Sequence, residues 1–289
     1  MTLLNAIVQG ILLGGLYALF ATGLSLVFGV MRLVNLAHGD FAVLAAYAAL
    51  LLVQGWDMPV LLSLVIVVPG MALLGYVIHR SLLQRTVQPS PLPALLVTFG
   101  LSIMMQNLLL EWFSADQHRL NLGTFETASL PMMSGLTIGY LPLLVFVVAV
   151  ASLGALSIFL RRTMSGRVMR ATSDDQEAAQ LAGVDNRHVY AVAIAIAIAT
   201  VGLAGVFSGI GTNFSPSSGP ILLIFAFEAV IIGGLGSLWG TLLGGIVLGV
   251  AQNIGAWIDP TQQVLVGHLV FLLVLALRPS GLLRKGALS

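Results

Sequence analysis

The chain has 289 residues, of which 58% are hydrophobic and only 8% charged, and its formal net charge is +1. An ordinary soluble domain carries about 25% charged residues; with a mean hydropathy of +1.03, the solvent for most of this chain is expected to be membrane lipid. The near-zero charge gives no basis for a nucleic-acid partner, and with no cysteine there is neither a disulfide framework nor a thiolate metal site.

Windows free of Asp, Glu, Lys and Arg cover 1–31, 58–79, 86–110, 127–160, 188–227, 229–258 and 260–277. A helix needs about 20 apolar residues to cross the hydrocarbon core. Nine hydrophobic segments emerge, near 5–28, 41–54, 59–79, 93–112, 140–160, 190–211, 221–235, 241–257 and 264–277. The first has no Lys or Arg before it and is too long for a signal-peptide core, so a retained span is expected. Segments 41–54 and 221–235 are short, which predicts that either is half of a broken or re-entrant helix and that full crossings number eight or nine. The expected fold class is an all-α polytopic membrane protein, a single domain over 1–289.

Polar residues inside this pattern are few. Asn35, His38 and Asp40 lie between the first two segments. They either cap the turn, satisfying free backbone groups at helix ends, or line a path at a broken helix. One His and one Asp define no metal site. Gln106 and Asn107 lie in the fourth segment, where amides usually bond to neighbouring helices, contact with substrate being the alternative. Glu228 is the one acid deep within an apolar stretch; a charge there is costly and faces a partner, a cavity or a pathway. Asn35, His38, Asp40, Gln106, Asn107 and Glu228 are thus the candidate path residues. Asn213, Ser215, Ser217 and Ser218 read as a solvated external loop. Gly10 and Gly14, Gly205 and Gly209, and Gly236, Gly240 and Gly244 have the four-residue spacing of close helix packing, with a helix break around Gly233–Gly236 as the other reading.

Alternating crossings place Arg32, Arg80, Arg85, Arg161, Arg162, Arg167, Arg170, Arg187, Arg278, Arg284 and Lys285 on one side and Arg119 on the other. The positive-inside rule makes the first side the cytoplasm. The N-terminus is then outside, the C-terminus inside, and 113–139 an external loop.

The longest polar stretch, 161–189, is therefore cytoplasmic. Within it Ser173-Asp174-Asp175-Gln176 fits a capping box, with Ser173 as N-cap and Gln176 at N3. Asp174 and Asp175 favour the positive end of the helix dipole, and Gly183 is placed to close the helix. A two-turn helix is not stable alone in water. Its Ala178, Ala179, Leu181 and Ala182 therefore dock either on the chain's own membrane domain or on a soluble partner.

Glu177-Ala178-Ala179, three residues and Gly183 resemble the EAA-x-x-x-G motif of ABC importer membrane subunits. The opening Gly10-x-x-x-Gly14-x-x-Tyr17-Ala18-Leu19 and Asn35-Leu36-Ala37-His38-Gly39-Asp40 are similar to one branch of that family, the LivH-type permeases. So are Gly166-Arg167-x-Met169-Arg170-Ala171, Ile232-Gly233-Gly234-Leu235-Gly236-Ser237 and Arg278-Pro279-Ser280-Gly281-Leu282-Leu283. The resemblance covers nearly the whole chain, in order.

It implies a pore subunit of a bacterial inner-membrane importer for branched-chain or related hydrophobic amino acids, working by alternating access. Arg170, Asp175, Glu177, Ala178, Ala179, Leu181 and Gly183 would couple it to an ATPase. The implied partners are a LivM-like permease subunit, two ATP-binding subunits (LivG-like and LivF-like) and a periplasmic binding protein. Relatives carrying urea, amides or aromatic acids leave substrate open, and the external loop 113–139 has its own sequence. ATP and magnesium would sit on the partners. A P-loop needs G-x-x-x-x-G-K-[ST], and the only lysine here is Lys285. An ion-coupled transporter is the remaining alternative; it would need an intramembrane ionisable relay. An intramembrane enzyme is disfavoured, since neither G-x-S-x-G nor H-E-x-x-H occurs.

Overall fold

The computed structural model describes residues 2–86, 92–133 and 136–283. Among them, nine helical segments are long and apolar enough to cross a membrane. In order, the helices are α1 (Leu3–Met31), α2 (His38–Trp56), α3 (Val60–Ser81), α4 (Leu92–Phe113), α5 (Thr124–Thr127), α6 (Tyr140–Arg162), α7 (Met164–Asp174), α8 (Gln176–Leu181), α9 (Asn186–Gly211), α10 (Gly219–Gly233), α11 (Leu238–Ile258) and α12 (Gln263–Leu277). The protein is an all-α polytopic membrane protein. Among the described residues its β structure is a small antiparallel hairpin, β1 (Ser129–Met133) with β2 (Leu136–Gly139), in the loop before α6, and an isolated bridge between His118 and Phe214. All nine hydrophobic segments of the sequence are helices.

The core is built on α1, the most buried of the spans, and α12 lies at the periphery with Gly267 as its one buried residue. Lipid replaces water as the outer solvent, so the outer surface needs no charged cover: Val65, Leu73, Leu96 and Leu272 all face outward. Association between such helices rests on close van der Waals packing. The glycines of α1 meet those of α11: a Cβ on Gly14 would stand 2.7 Å from the carbonyl oxygen of Gly245, and one on Gly10 would stand 2.9 Å from that of Gly249. The four-residue glycine spacing is thus a packing device here. The Gly233–Gly236 stretch is the tight turn joining α10 to α11, with Gly233 against Gly240. The backbone N–H groups of Leu282 and Leu283 close it by donating to Ile232 and Gly233 at 2.8 and 3.1 Å.

Two helices begin inside the bundle. His38, the first residue of α2, places its ring Nε2 2.9 Å from the carbonyl oxygen of Phe20. Phe20 lies 11 residues before Met31, the end of α1, or about 16 Å at the helical rise. Residues 32–37 therefore double back alongside α1, with Leu33, Asn35 and Ala37 buried. At the opposite end of the bundle, residues 212–218 also turn inward, burying Phe214 and Pro216, before α10 begins at Gly219. The starts of α2 and α10 meet. A Cβ on Gly39 would collide with the Gly219 carbonyl, and one on Gly219 with the Asp40 carboxylate. Both short segments of the sequence, 41–54 and 221–235, are thus helices with an interior N-terminus. The 213–218 stretch, expected as a solvated loop, is instead packed on its Phe214 and Pro216 side.

Candidate functional site: a capped terminal helix and an intramembrane polar interior

One end of the bundle gathers the last turns of α1, α3 and α6 and the first turn of α9. Arg80, Arg161 and Arg162 lie in the last turns there, and α7 and α8 lie across it. Thr163 caps α7 by accepting from Gly166 N–H at 3.0 Å. Ser173 donates its hydroxyl to the Gly29 carbonyl of α1 at 2.7 Å, and Asn186 donates to the Gln176 carbonyl at 2.9 Å. These bonds fasten α7 to α1 and the start of α8 to α9.

The expected capping box at Ser173 is corrected by this arrangement. α7 continues through Ser173 to Asp174, and the chain breaks at Asp175, whose extended backbone starts α8. Asp175 is the N-cap: its Oδ1 accepts from the N–H groups of Glu177 and Ala178 at 3.0 and 2.9 Å. Ser173 lies inside α7, where its backbone is helical, and the role falls to Asp175, the residue with the extended backbone of an N-cap. The other end is closed as the sequence suggests. Gly183 has φ +86°, its N–H donates to Gln180 and that of Val184 to Ala179, the paired bonds of a Schellman motif.

α8 turns one side chain, Ala179, inward. Glu177, Ala178 and Gly183 are exposed, and Leu181 is 87% exposed. Leu181 thus stands clear of the chain's own membrane domain. Arg170 is half-buried on α7, and its Nε has no hydrogen-bond partner. A cleft of about 570 Å³ runs between the end of α1 and this segment, lined by Arg32, Asp174, Asp175, Glu177 and Tyr190 among others.

Two polar centres stand out in the interior among the described residues. The first surrounds the start of α2. Asn35 accepts from Ala37 N–H at 3.1 Å, and His38 bonds to Phe20 as above. Asp40 accepts from the Ser102 hydroxyl at 2.5 Å and from Gln106 Nε2 at 3.0 Å, both on α4. It also sits in the first turn of α2 and against the first residue of α10, so the positive ends of two helix dipoles face it. The sequence left Asp40 either at a turn or on an interior path; the fold buries it, a second interior acid in addition to Glu228. Asn107 stands apart from this centre. It is exposed and donates to Ile103 of its own helix at 2.8 Å.

The second centre joins four helices. Tyr17, the middle residue of α1, donates to Gln252 Oε1 of α11 at 2.5 Å. Glu228 of α10 pairs with His268 Nδ1 of α12. Phe225 lies between, its ring 5.1 Å from that of Tyr17 and 6.3 Å from that of His268. Glu228 is therefore not solitary. Gln252 and His268 escaped notice in the sequence, and Tyr17 entered only as part of the opening motif, because single polar residues scattered through apolar helices carry no local pattern. Ser102 was missed for the same reason.

A bundle of apolar helices around a buried polar interior, bearing an uncovered helix at one end, has the construction of a membrane transport subunit. The chain belongs to the family described as branched-chain amino acid transport system, permease component, whose model matches residues 6–276. It is 31% identical to the high-affinity branched-chain amino acid transport system permease protein BraD of Pseudomonas aeruginosa, over 98% of this chain and 96% of that one. It is 29% identical to the permease LivH of Salmonella typhimurium, with the same coverage. A shorter match, 29% identical, is to the permease LivM of Escherichia coli, over 50% of this chain and 34% of that one.

Proposed function

We propose that this chain is one permease subunit of a binding-protein-dependent ABC importer that carries branched-chain or related hydrophobic amino acids into the cell. A second, LivM-like permease completes the pore, two separate ATP-binding subunits supply the energy, and a periplasmic protein delivers the substrate. The observation that carries the reading is α8. Both its ends are capped, one side chain docks on the chain itself, and Leu181 stands 87% exposed. A helix of six residues does not persist in water by itself, and an uncovered Leu at its tip fits a groove on a soluble partner. The Ser173–Gly29 and Asn186–Gln176 bonds link any displacement of this segment to α1 and α9.

In this reading α8 faces the cytoplasm, the N-terminus lies outside and the C-terminus inside. Arg119, bonded to Glu126 at 3.0 Å and to the Ile210 carbonyl at 3.1 Å, then belongs to the external surface that receives the binding protein. Arg284 and Lys285, also assigned to the inside, lie outside the described residues.

Gentle purification of the tagged chain from its host tests the proposal. Recovery with two ATPase chains and one different membrane subunit supports it. Recovery alone, with uptake that survives ATP depletion and fails when ion gradients collapse, replaces it with the ion-coupled transporter.

A further inference from the structure

The Tyr17–Gln252 and Glu228–His268 pairs have a feature the packing of the bundle does not require. Glu228 and Gln252 are 3% and 1% exposed, yet Glu228 Oε2 and Gln252 Nε2 have no hydrogen-bond partner. One is a free acceptor on a carboxylate and the other a free donor on an amide. Such groups inside a membrane are costly when left unmade. The His268 side chain, by contrast, is 37% exposed. A half-exposed imidazole paired with a carboxylate does not face hydrocarbon without cost, so water or protein covers it.

We propose that Tyr17, Glu228, Gln252 and His268 form a subsite on the translocation path for the charged head group of an α-amino acid. This deepens the importer reading and rests on it. The free acceptor suits an ammonium group and the free donor suits a carboxylate, so both ends of a zwitterion find a complement. Around them Phe225 and the outward Ile221 and Ile224 of α10 supply apolar contact for an aliphatic side chain. Access runs past His268. α12 backs onto Gln252 only because residue 267 is glycine; a Cβ there would stand 2.7 Å from Gln252 Cγ. With Gly267 its one buried residue, α12 is the span least held by the bundle, and a shift of α12 uncovers the two free groups.

The chain has no cysteine, which makes thiol labelling the direct test. The full complex, its partner subunits freed of cysteine, is reconstituted in proteoliposomes with His268→Cys as the single thiol. A charged, membrane-impermeant thiosulfonate is expected to react with it. Binding protein loaded with L-leucine, together with ATP, is expected to slow that reaction about tenfold, as a site built for specific polar contacts allows. Leu273→Cys, on another face of α12 and 57% exposed, is expected to react only with an uncharged, lipid-soluble maleimide. Reaction of His268→Cys with the lipid-soluble reagent alone would overturn the proposal, as would reaction with the charged reagent that leucine does not slow. In parallel, Glu228→Gln is expected to cut leucine uptake about tenfold or more in a complex that still assembles with its ATPase subunits. Loss of assembly or of thermal stability in Glu228→Gln would mark Glu228 as structural and overturn its place in the subsite. Failure of the parent chain to assemble with ATPase subunits would instead strike the importer reading itself.

Discussion

Asp40 shows how a residue that the sequence leaves with two readings, a turn cap or a lining of an interior path, depends on the fold for its place. Its neighbours Gly39 and Phe41 give no hint of depth; only the return of residues 32–37 along α1 carries it inward. There its two oxygens accept from Ser102 and Gln106. Asp40→Leu would leave those donors and two helix starts without their acceptor, and a buried donor left unsatisfied costs about 1–3 kcal/mol. A marked fall in the melting temperature of the purified complex is expected. Asp40→Asn, which keeps one accepting oxygen, should lose less. Gly219→Ala tests the same junction sterically, because its Cβ would collide with the Asp40 carboxylate; overpacking of this kind costs about 1–3 kcal/mol, read in the same melting assay. At the bundle's other polar turn, Asp259 accepts from Thr261 N–H and hydroxyl, each at 2.9 Å. Those bonds, the backbone one first, hold its carboxyl below the usual carboxylate range. The sign follows from linkage: this contribution is present above the ordinary carboxylate pKa and is lost as pH falls through the lowered folded value. Asp259→Asn should therefore flatten any acid-side loss in the pH dependence of melting that this turn causes.

At the scale of an element, α8 was largely legible in the sequence and its beginning was not. Gly183 closes the helix through a local backbone motif, and local motifs are written in adjacent residues. The stretch Ser173-Asp174-Asp175-Gln176 predicts the cap at Ser173, but α7 runs on through Ser173, whose hydroxyl bonds to Gly29, 144 residues away, and α8 starts at Asp175. The same division runs through the spans. Apolar length announced nine segments, but the interior starts of α2 and α10 depend on contacts between distant residues, as do the partners of Glu228 and Asp40. The exposure of α8 sets its test. Leu181→Asp changes an 87% exposed side chain, so the permease should insert and melt as the parent does. ATPase subunits should no longer co-purify, and uptake should fall to background. Gly183→Asp places a side chain in open space but at φ +86°, a region that Asp tolerates better than most residues. It should leave the protein in the membrane and abolish ATP-driven uptake; loss of membrane insertion would count against the coupling role.

For the whole molecule, the proposal stands on which end faces the cytoplasm. The fold separates two ends without naming them. α7, α8 and the last turns of α1, α3 and α6 share one end. The other carries the loop before α6, where His118 and Phe214 exchange backbone bonds of 2.9 Å each. Since a coupling helix is useful only beside ATP, the charge asymmetry and the mechanism must agree. The cysteine-free chain makes that agreement testable in cells. Asp116→Cys, in the loop, should be labelled in spheroplasts by an impermeant thiol reagent. Gln180→Cys, exposed on α8, should be labelled only after the membrane is opened. The reverse pattern would place α8 outside, away from any cytoplasmic ATPase, and the exposed Leu181 would then need a partner of another kind.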